Sequence, residues 1–235
     1  MFWFAVIPGL LAVALLVAGV HEPETSAAAR PARAPIHRET LRELSGSYWW
    51  IVAVGAIFTL ARFSEAFLIL RARQSGLADA LAPAVLILMN VVYAASAYPA
   101  GRLADHMDRR FLLAGGLLVL IAANLALARA QGLAMAALGV ALWGLHMGLT
   151  QGLLATMVAA AAPGHLRGTA FGFFNLASGG AMLAASVLAG TLWDTIGASA
   201  TFYAGAIFSA VALALLMTRQ APRIPPTPSP AVKEA

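Results

Sequence analysis

The sequence predicts an all-α, polytopic membrane helix bundle with seven spans. Three observations carry this reading. Of the 235 residues, 61% are hydrophobic, and the mean hydropathy is +0.82. Charged residues make up 11%, against roughly 25% in a soluble domain, so no soluble fold could hide the apolar surface. The apolar runs approach the ~20 residues that cross a bilayer core. Their Ala, Leu, Val and Gly composition lacks the sustained alternation of a barrel strand.

The spans are read as 2–20, 48–70, 80–99, 111–128, 133–158, 169–190 and 199–218. The first, "MFWFAVIPGLLAVALLVAGV", has the hydrophobicity of a signal peptide but neither a positively charged start nor a convincing cleavage site. It is read as a transmembrane helix over 1–20. Linker 21–46 carries Arg30, Arg33, Arg38 and Arg42 with Pro31 and Pro35. The tail 219–235 holds Pro222, Pro225, Pro226, Pro228 and Pro230, and is expected to be disordered or polyproline-like.

Lys and Arg set the expected orientation. Linker 21–46 has four, linker 101–110 has Arg102, Arg109 and Arg110, the turn at 163–168 has Arg167, and the tail has Arg219, Arg223 and Lys233. Those eleven fall on one side; Arg71, Arg73 and Arg129 fall on the other. The positive-inside bias therefore places the long linker and the C-terminus in the cytoplasm and the N-terminus outside, with the chain in the cytoplasmic (inner) membrane. It also accounts for the net charge of +5 without nucleic acid. A signal peptide would invert every later loop. An outside N-terminus with nothing before it to carry it there is what a truncated protein looks like.

Arg62 and Glu65 stand inside the apolar run 48–70. On a continuous helix they share a face with Phe58, Ala66 and Ile69, and their spacing lets them pair. Phe63 and Phe67 point off that face, toward packing or lipid. A mid-span charge costs roughly 2.5–3.5 kcal/mol on insertion scales, so both should face a protein interior or an aqueous cavity. Two readings stand. The pair is a working site, Arg62 holding an anionic group and Glu65 carrying a proton or recognising a cation. Alternatively, it is a structural ion pair, or a pair hydrated near the outer surface beside Arg71 and Arg73.

The loop "YPAGRLADHMDRR", residues 98–110, carries the most specific signal. Pro99 is expected to end the preceding helix and Gly101 to turn the chain. Asp105 would then sit near a helix start, favoured by the dipole and by Arg109 and Arg110. Gly101, Leu103, Ala104, Asp105, Arg109 and Arg110 match the cytoplasmic-loop signature G-x-L-A-D-x-x-G-R-[KR], and the stretch resembles that of the major facilitator superfamily. Asp108 replaces the usual glycine and His106 a commonly basic position. The stretch "PGHLRGTAFGFFN", 163–175, resembles the family's loop before its eleventh helix. The resemblance implies twelve helices in two halves joined by a long cytoplasmic linker. Residues 47–218 would then be the C-terminal six-helix bundle, 1–20 the last helix of the N-terminal half, and 21–46 the linker. It further implies alternating access, with Gly101, Asp105, Arg109 and Arg110 as a cytoplasmic gate motif contacting the opposite half. The bland alternative is a generic positive loop.

Helical spacing sorts the remaining candidates. In span 133–158, Gly144, Gly148 and Gly152 recur every four residues and are read as packing positions. Trp143, His146 and Thr150 fall on the roughly opposite face, toward something polar. In the family that helix lines the central cavity, as does the one at 48–70. His146 is either a substrate or proton contact or a satisfied structural histidine. In span 169–190, Phe171, Asn175, Ser178 and Met182 share a face, while Gly168, Gly172, Ala184, Ala185 and Gly190 read as packing residues. In span 80–99, Asn90 and Tyr93 share a face. Asn90 and Asn175 are either helix glue or ligand contacts. Asn124 is isolated and given no role.

Several chemistries are excluded. There is no cysteine, so no disulfide or thiolate metal site. His21, His37, His106, His146 and His165 lack metal-ligand spacing. No G-x-x-x-x-G-K-[ST] phosphate loop occurs, which disfavours an ATP-driven motor. The chain reads as a non-enzyme needing no cofactor, a membrane-embedded permease or efflux protein for a small solute, driven by an ion or solute gradient, with Glu65 as the candidate carrier if the ion is a proton. Its missing half would come from preceding helices, self-association or a separate partner. The alternative is a non-transporting scaffold or regulatory subunit.

Overall fold

A computed structural model describes residues 2–19 and 41–218; most of linker 21–46 and all of tail 219–235 lie outside the described residues. Among the described residues the chain is helical throughout, without strands, as the composition predicts. The first helix, α1 (Phe2–Gly19), belongs to one compact unit, and everything from Arg42 onward belongs to another.

The second unit holds α2 (Gly46–Leu60), α3 (Ala66–Gln74), α4 (Ala82–His106), α5 (Arg109–Ala128), α6 (Leu133–Thr150), α7 (Leu153–Ala161), α8 (Arg167–Thr195) and α9 (Ala198–Thr218). Five helical stretches are long and apolar enough to cross a membrane: Asp79–His106, Arg109–Ala128, Leu133–Ala161, Gly164–Thr195 and Ala198–Thr218. Val6–Gly19 and Gly46–Leu60 are apolar but shorter. The chain is thus a multi-pass membrane helix bundle.

Two of the expected spans are interrupted. The run 48–70 is not one helix: α2 stops at Leu60 and α3 starts at Ala66. Ser45 begins α2 by accepting from the Tyr48 amide at 3.2 Å. Near its end, the Thr59 hydroxyl donates to the Gly55 carbonyl at 2.8 Å, a back-bond that often accompanies bending. Ser64 Oγ then accepts from the Ala66 amide at 3.3 Å, starting the next helix. The run 133–158 also breaks. Gln151 leaves the helical region with ψ 125°, and Gly152 adopts φ +78° before α7 begins. Gly152 is therefore not a packing glycine. A Cβ there would meet nothing within 4 Å; the left-handed backbone is what calls for glycine.

The loop after α4 also differs from expectation. Helix α4 runs through Pro99 and Gly101 to His106, and the chain leaves it at Met107. Asp105 lies in the last turn of α4. Asp108 is the residue that caps α5, its carboxylate accepting from the Arg110 amide at 2.9 Å. The replacement of the signature's glycine by Asp108 thus supplies an N-cap.

Packing centres on α6, which lies against both α4 and α5, while α5 also packs on α9. Small residues make these approaches close. A Cβ on Gly144 would run into the Met89 carbonyl of α4, and one on Gly148 into Ser96. On the other side of α6, a Cβ on Gly139 would meet Leu127 of α5 at 2.5 Å. Gly116 of α5 accommodates the Thr150 methyl, and Gly205 of α9 accommodates buried Asn124, whose amide donates to its own helix at Leu120. By contrast Gly168, Gly172 and Gly190 face open space among the described residues. They do not pack as their spacing suggested.

Helix ends are secured by polar side chains. Arg71 donates to the carbonyls of Leu127 at 2.8 Å, Ala128 at 3.1 Å and Ala130 at 3.0 Å, closing the C-terminus of α5. The Ser199 hydroxyl adds a second donor to Ala128 at 2.7 Å. In a low-dielectric surrounding those last carbonyls need partners. Tyr48 donates to Ala170 at 2.9 Å, tying α2 to α8, and Thr201 donates to Ala189 at 3.0 Å, tying α9 to α8.

Two predictions follow from this packing. Gly144→Ala should destabilise the protein by about 1–3 kcal/mol through overpacking, and Gly152→Ala by about 1–2 kcal/mol through left-handed strain; Gly172→Ala should be neutral or slightly stabilising, all read as thermal unfolding in detergent. Arg71→Gln should cost roughly 1–3 kcal/mol, because it frees several helix-end carbonyls. Arg73→Gln removes only an exposed 2.6 Å pair with Asp79 and should cost less than about 1 kcal/mol in the same assay.

Candidate functional site

The candidate site is built around the gap between α2 and α3. Five residues, Ala61 to Glu65, separate the two helices. Phe63 points inward, is 4% exposed, and is held by aromatic rings from three other helices. Its ring centroid lies 5.5 Å from that of Trp143 on α6, 5.5 Å from Phe202 on α9 and 5.4 Å from Phe67 on α3. Trp193 of α8 closes the group, 5.5 Å from Phe67 and 6.2 Å from Phe202. Such edge-on and tilted ring pairs each add about 0.5–1.5 kcal/mol beyond area burial. The irregular backbone is thereby tied to helices far away in sequence.

With Phe63 turned in, its neighbours face a cavity of about 270 Å³ lined by Arg62, Phe63, Ser64, Glu65, Trp143 and Met182. Arg62 and Glu65 come to it from an unwound segment, not from one face of a helix. They form no ion pair with each other; among the described residues the ion pairs are Arg73–Asp79 and Glu43–His165. The Arg62 guanidinium carbon instead sits 5.3 Å from the Phe58 ring centroid. Its Nε is buried and lacks a hydrogen-bond partner. A cation–π contact returns about 0.5–2 kcal/mol, less than the roughly 2.5–3.5 kcal/mol cost of an arginine in mid-span. The cavity accordingly holds a cation and a half-buried carboxylate that attract each other without an ion-pair contact.

The other sequence candidates separate into groups. Trp143 lines the cavity. His146 is wholly buried one turn further along, with ring centroids of Trp143 at 5.5 Å and Phe58 at 6.3 Å. Neither of its ring nitrogens has a well-formed hydrogen bond among the described residues. It stands behind the cavity wall. Thr150 faces α5, against Gly116, and its hydroxyl donates to the His146 carbonyl at 2.8 Å. Its surroundings are therefore packing, not a polar lining. Asn90 is exposed and bonds its own helix at Leu86, 2.8 Å away; Tyr93 is half-buried, and Asn175 is exposed on α8. None of these three lines the cavity. Met182, on the face read from span 169–190, does.

The signature loop lies elsewhere. Gly101 and Asp105 are exposed, and Arg109 opens α5. Arg110 reaches across to donate to the Met217 carbonyl at 2.7 Å, in the last turn of α9. The motif's second arginine therefore secures a helix end within this bundle, a role that loop spacing did not reveal. Sequence reading also missed Arg71 as a helix closer and the gap at 61–65. The available signals were Thr59 and Ser64, which flank the gap and favour local backbone bonds.

The Major Facilitator Superfamily profile matches the chain twice, over residues 1–183 and 66–235. An uncharacterized MFS-type transporter of Methanocaldococcus jannaschii is 32% identical over 172 residues, covering 71% of this chain and 43% of that protein. The chain thus spans less than half the length of this relative. With a helical bundle of several membrane-length helices and two overlapping profile matches that together cover it, the chain belongs to the major facilitator superfamily.

Proposed function

We propose that the chain forms part of a secondary active transporter that moves a small solute across the cytoplasmic membrane by alternating access. The observation that carries this reading is the gap at Ala61–Glu65, which turns two unpaired charges toward a cavity inside a membrane bundle. Unwound backbone at membrane depth is tolerated where it is buried in protein or lines a cavity. Broken helices at such places are a transporter's usual means of presenting polar groups to a solute. The second broken helix, α6–α7, is interrupted away from this cavity, at Gln151 and Gly152.

In this reading Glu65 carries the coupling proton and Trp143 forms the cavity wall. The long linker and the C-terminus lie in the cytoplasm and the N-terminus outside, following the Lys and Arg bias. Asp105 and Arg109 then face the cytoplasm, free to contact an opposing set of helices when that side closes. Helices α4 and α8 have the outward apolar surface for such a set: Ile87, Val91, Leu176 and Leu183 are all more than 60% exposed. The opposing helices come from the same polypeptide, a second copy or a separate chain; the intact mass of the native protein distinguishes the first from the other two.

Proteoliposomes test the function. An imposed pH gradient should drive solute accumulation by the complete protein. Glu65→Gln should abolish that accumulation while leaving solute exchange measurable. Wild-type proton-driven accumulation in the variant would remove Glu65 from the proton path, and a complete protein that passes no solute under any gradient would leave a scaffold role.

A further inference from the structure

We infer that the cavity takes a small organic anion with a flat apolar body, its carboxylate held by Arg62 and its body set against Trp143 and Met182. This assignment rests on the transport reading above and adds the substrate class to it.

The chemistry follows from which charge in the cavity has an unmet need. Arg62 makes no ion-pair contact and no hydrogen bond among the described residues, although Glu65 attracts it from across the cavity lining, and its Nε is buried. The Phe58 ring stabilises the cation but accepts no conventional hydrogen bond at the guanidinium edge. A guanidinium offers five N–H donors in a planar fork, and a carboxylate is the partner that can accept two of them side by side. Glu65 is differently placed. Both side chains are half-buried, but the Arg62 Nε is buried without a hydrogen-bond partner, whereas no atom of Glu65 is. A carboxylate can exchange its charge for a proton in a transport cycle, whereas a guanidinium keeps its charge. An anion entering with a proton on Glu65 leaves the site near neutrality, but a cation would stand against a fixed positive charge.

Size and shape come from the walls. The cavity on this bundle spans about 270 Å³, room for a ring-sized body on this side of the site. Phe63, Trp143 and Met182 give it an aromatic and thioether lining, surfaces that pack well against a flat ring. A purely inorganic anion would leave that lining unused.

The test is calorimetric titration of the complete protein in nanodiscs with four probes that share a phenyl ring: benzoate, benzamide, benzylamine and the larger zwitterion phenylalanine. Benzoate should bind at least about 10-fold more tightly than benzamide or benzylamine. Arg62→Gln should weaken benzoate by roughly 10- to 100-fold, the loss expected for charge-assisted hydrogen bonds, and Arg62→Lys should fall between. Arg62→Gln is compared only when folded, so its helicity and elution profile are checked first; the Lys variant, which keeps the charge, carries the test if the Gln variant fails. Benzamide or benzylamine binding as well as benzoate, phenylalanine binding where benzoate does not, or benzoate binding unchanged in a folded Arg62 variant would each overturn the assignment. Proton-driven flux of a neutral or cationic solute, without benzoate binding, would overturn the substrate class and leave the transport reading standing. Absence of flux for every solute would remove the transport reading itself.

Discussion

The burial of Phe63 among Phe67, Trp143, Trp193 and Phe202 is the interaction on which the candidate site depends. An unwound stretch inside a membrane is costly, because its amide groups lose the regular helical ladder. Here the aromatic contacts offset part of that cost and fix the direction of the chain. With Phe63 committed inward, Arg62, Ser64 and Glu65 line the cavity. The same ring group joins α3, α6, α8 and α9, so any motion of one of these helices would be felt at the charged segment.

Close approach of α6 to its neighbours is the second constraint. Lipid tails give no hydrophobic reason for helices to associate, so contact depends on packing and hydrogen bonds. Gly144 and Gly148 let the α4 backbone come in on one side, and Gly139 lets Leu127 of α5 come in on the other. That position holds Trp143 against Phe63 and keeps His146 sealed between Trp143 and Phe58. The break at Gln151 and Gly152 lies beyond this gripped portion, so α7 can leave α6 at an angle without disturbing the cavity wall.

Charged residues in this bundle therefore do three kinds of work. Arg71 and Arg110 satisfy helix-end carbonyls, on α5 and α9 respectively. Asp108 satisfies a helix-start amide. Arg62 alone among these lies in the cavity without a hydrogen bond to the described residues. A charge count treats them alike; only their acceptors distinguish a structural arginine from one available to a ligand.

The sequence by itself determined the membrane helical class, most of the helix positions and the family. Hydropathy over twenty residues is a local property, and the spacing of Gly101, Asp105, Arg109 and Arg110 can be read without coordinates. It also located the cavity's charges, since Arg62 and Glu65 stood out in an apolar run. It could not show that their helix is interrupted. Periodicity assigns faces by assuming a continuous helix, and that assumption fails at 61–65 and again at 151–152. The first interruption is held by rings up to 139 positions away, at Phe202, and the second was masked because Gly152 fits a four-residue packing repeat as well as it fits a left-handed turn. Likewise Pro99 and Gly101 have the local signals of a helix end, yet α4 continues past both and the chain turns where Asp108 can cap α5. Local chemistry selected helix in a membrane; contacts between distant segments decided where each helix stops and which charge is left to meet a ligand.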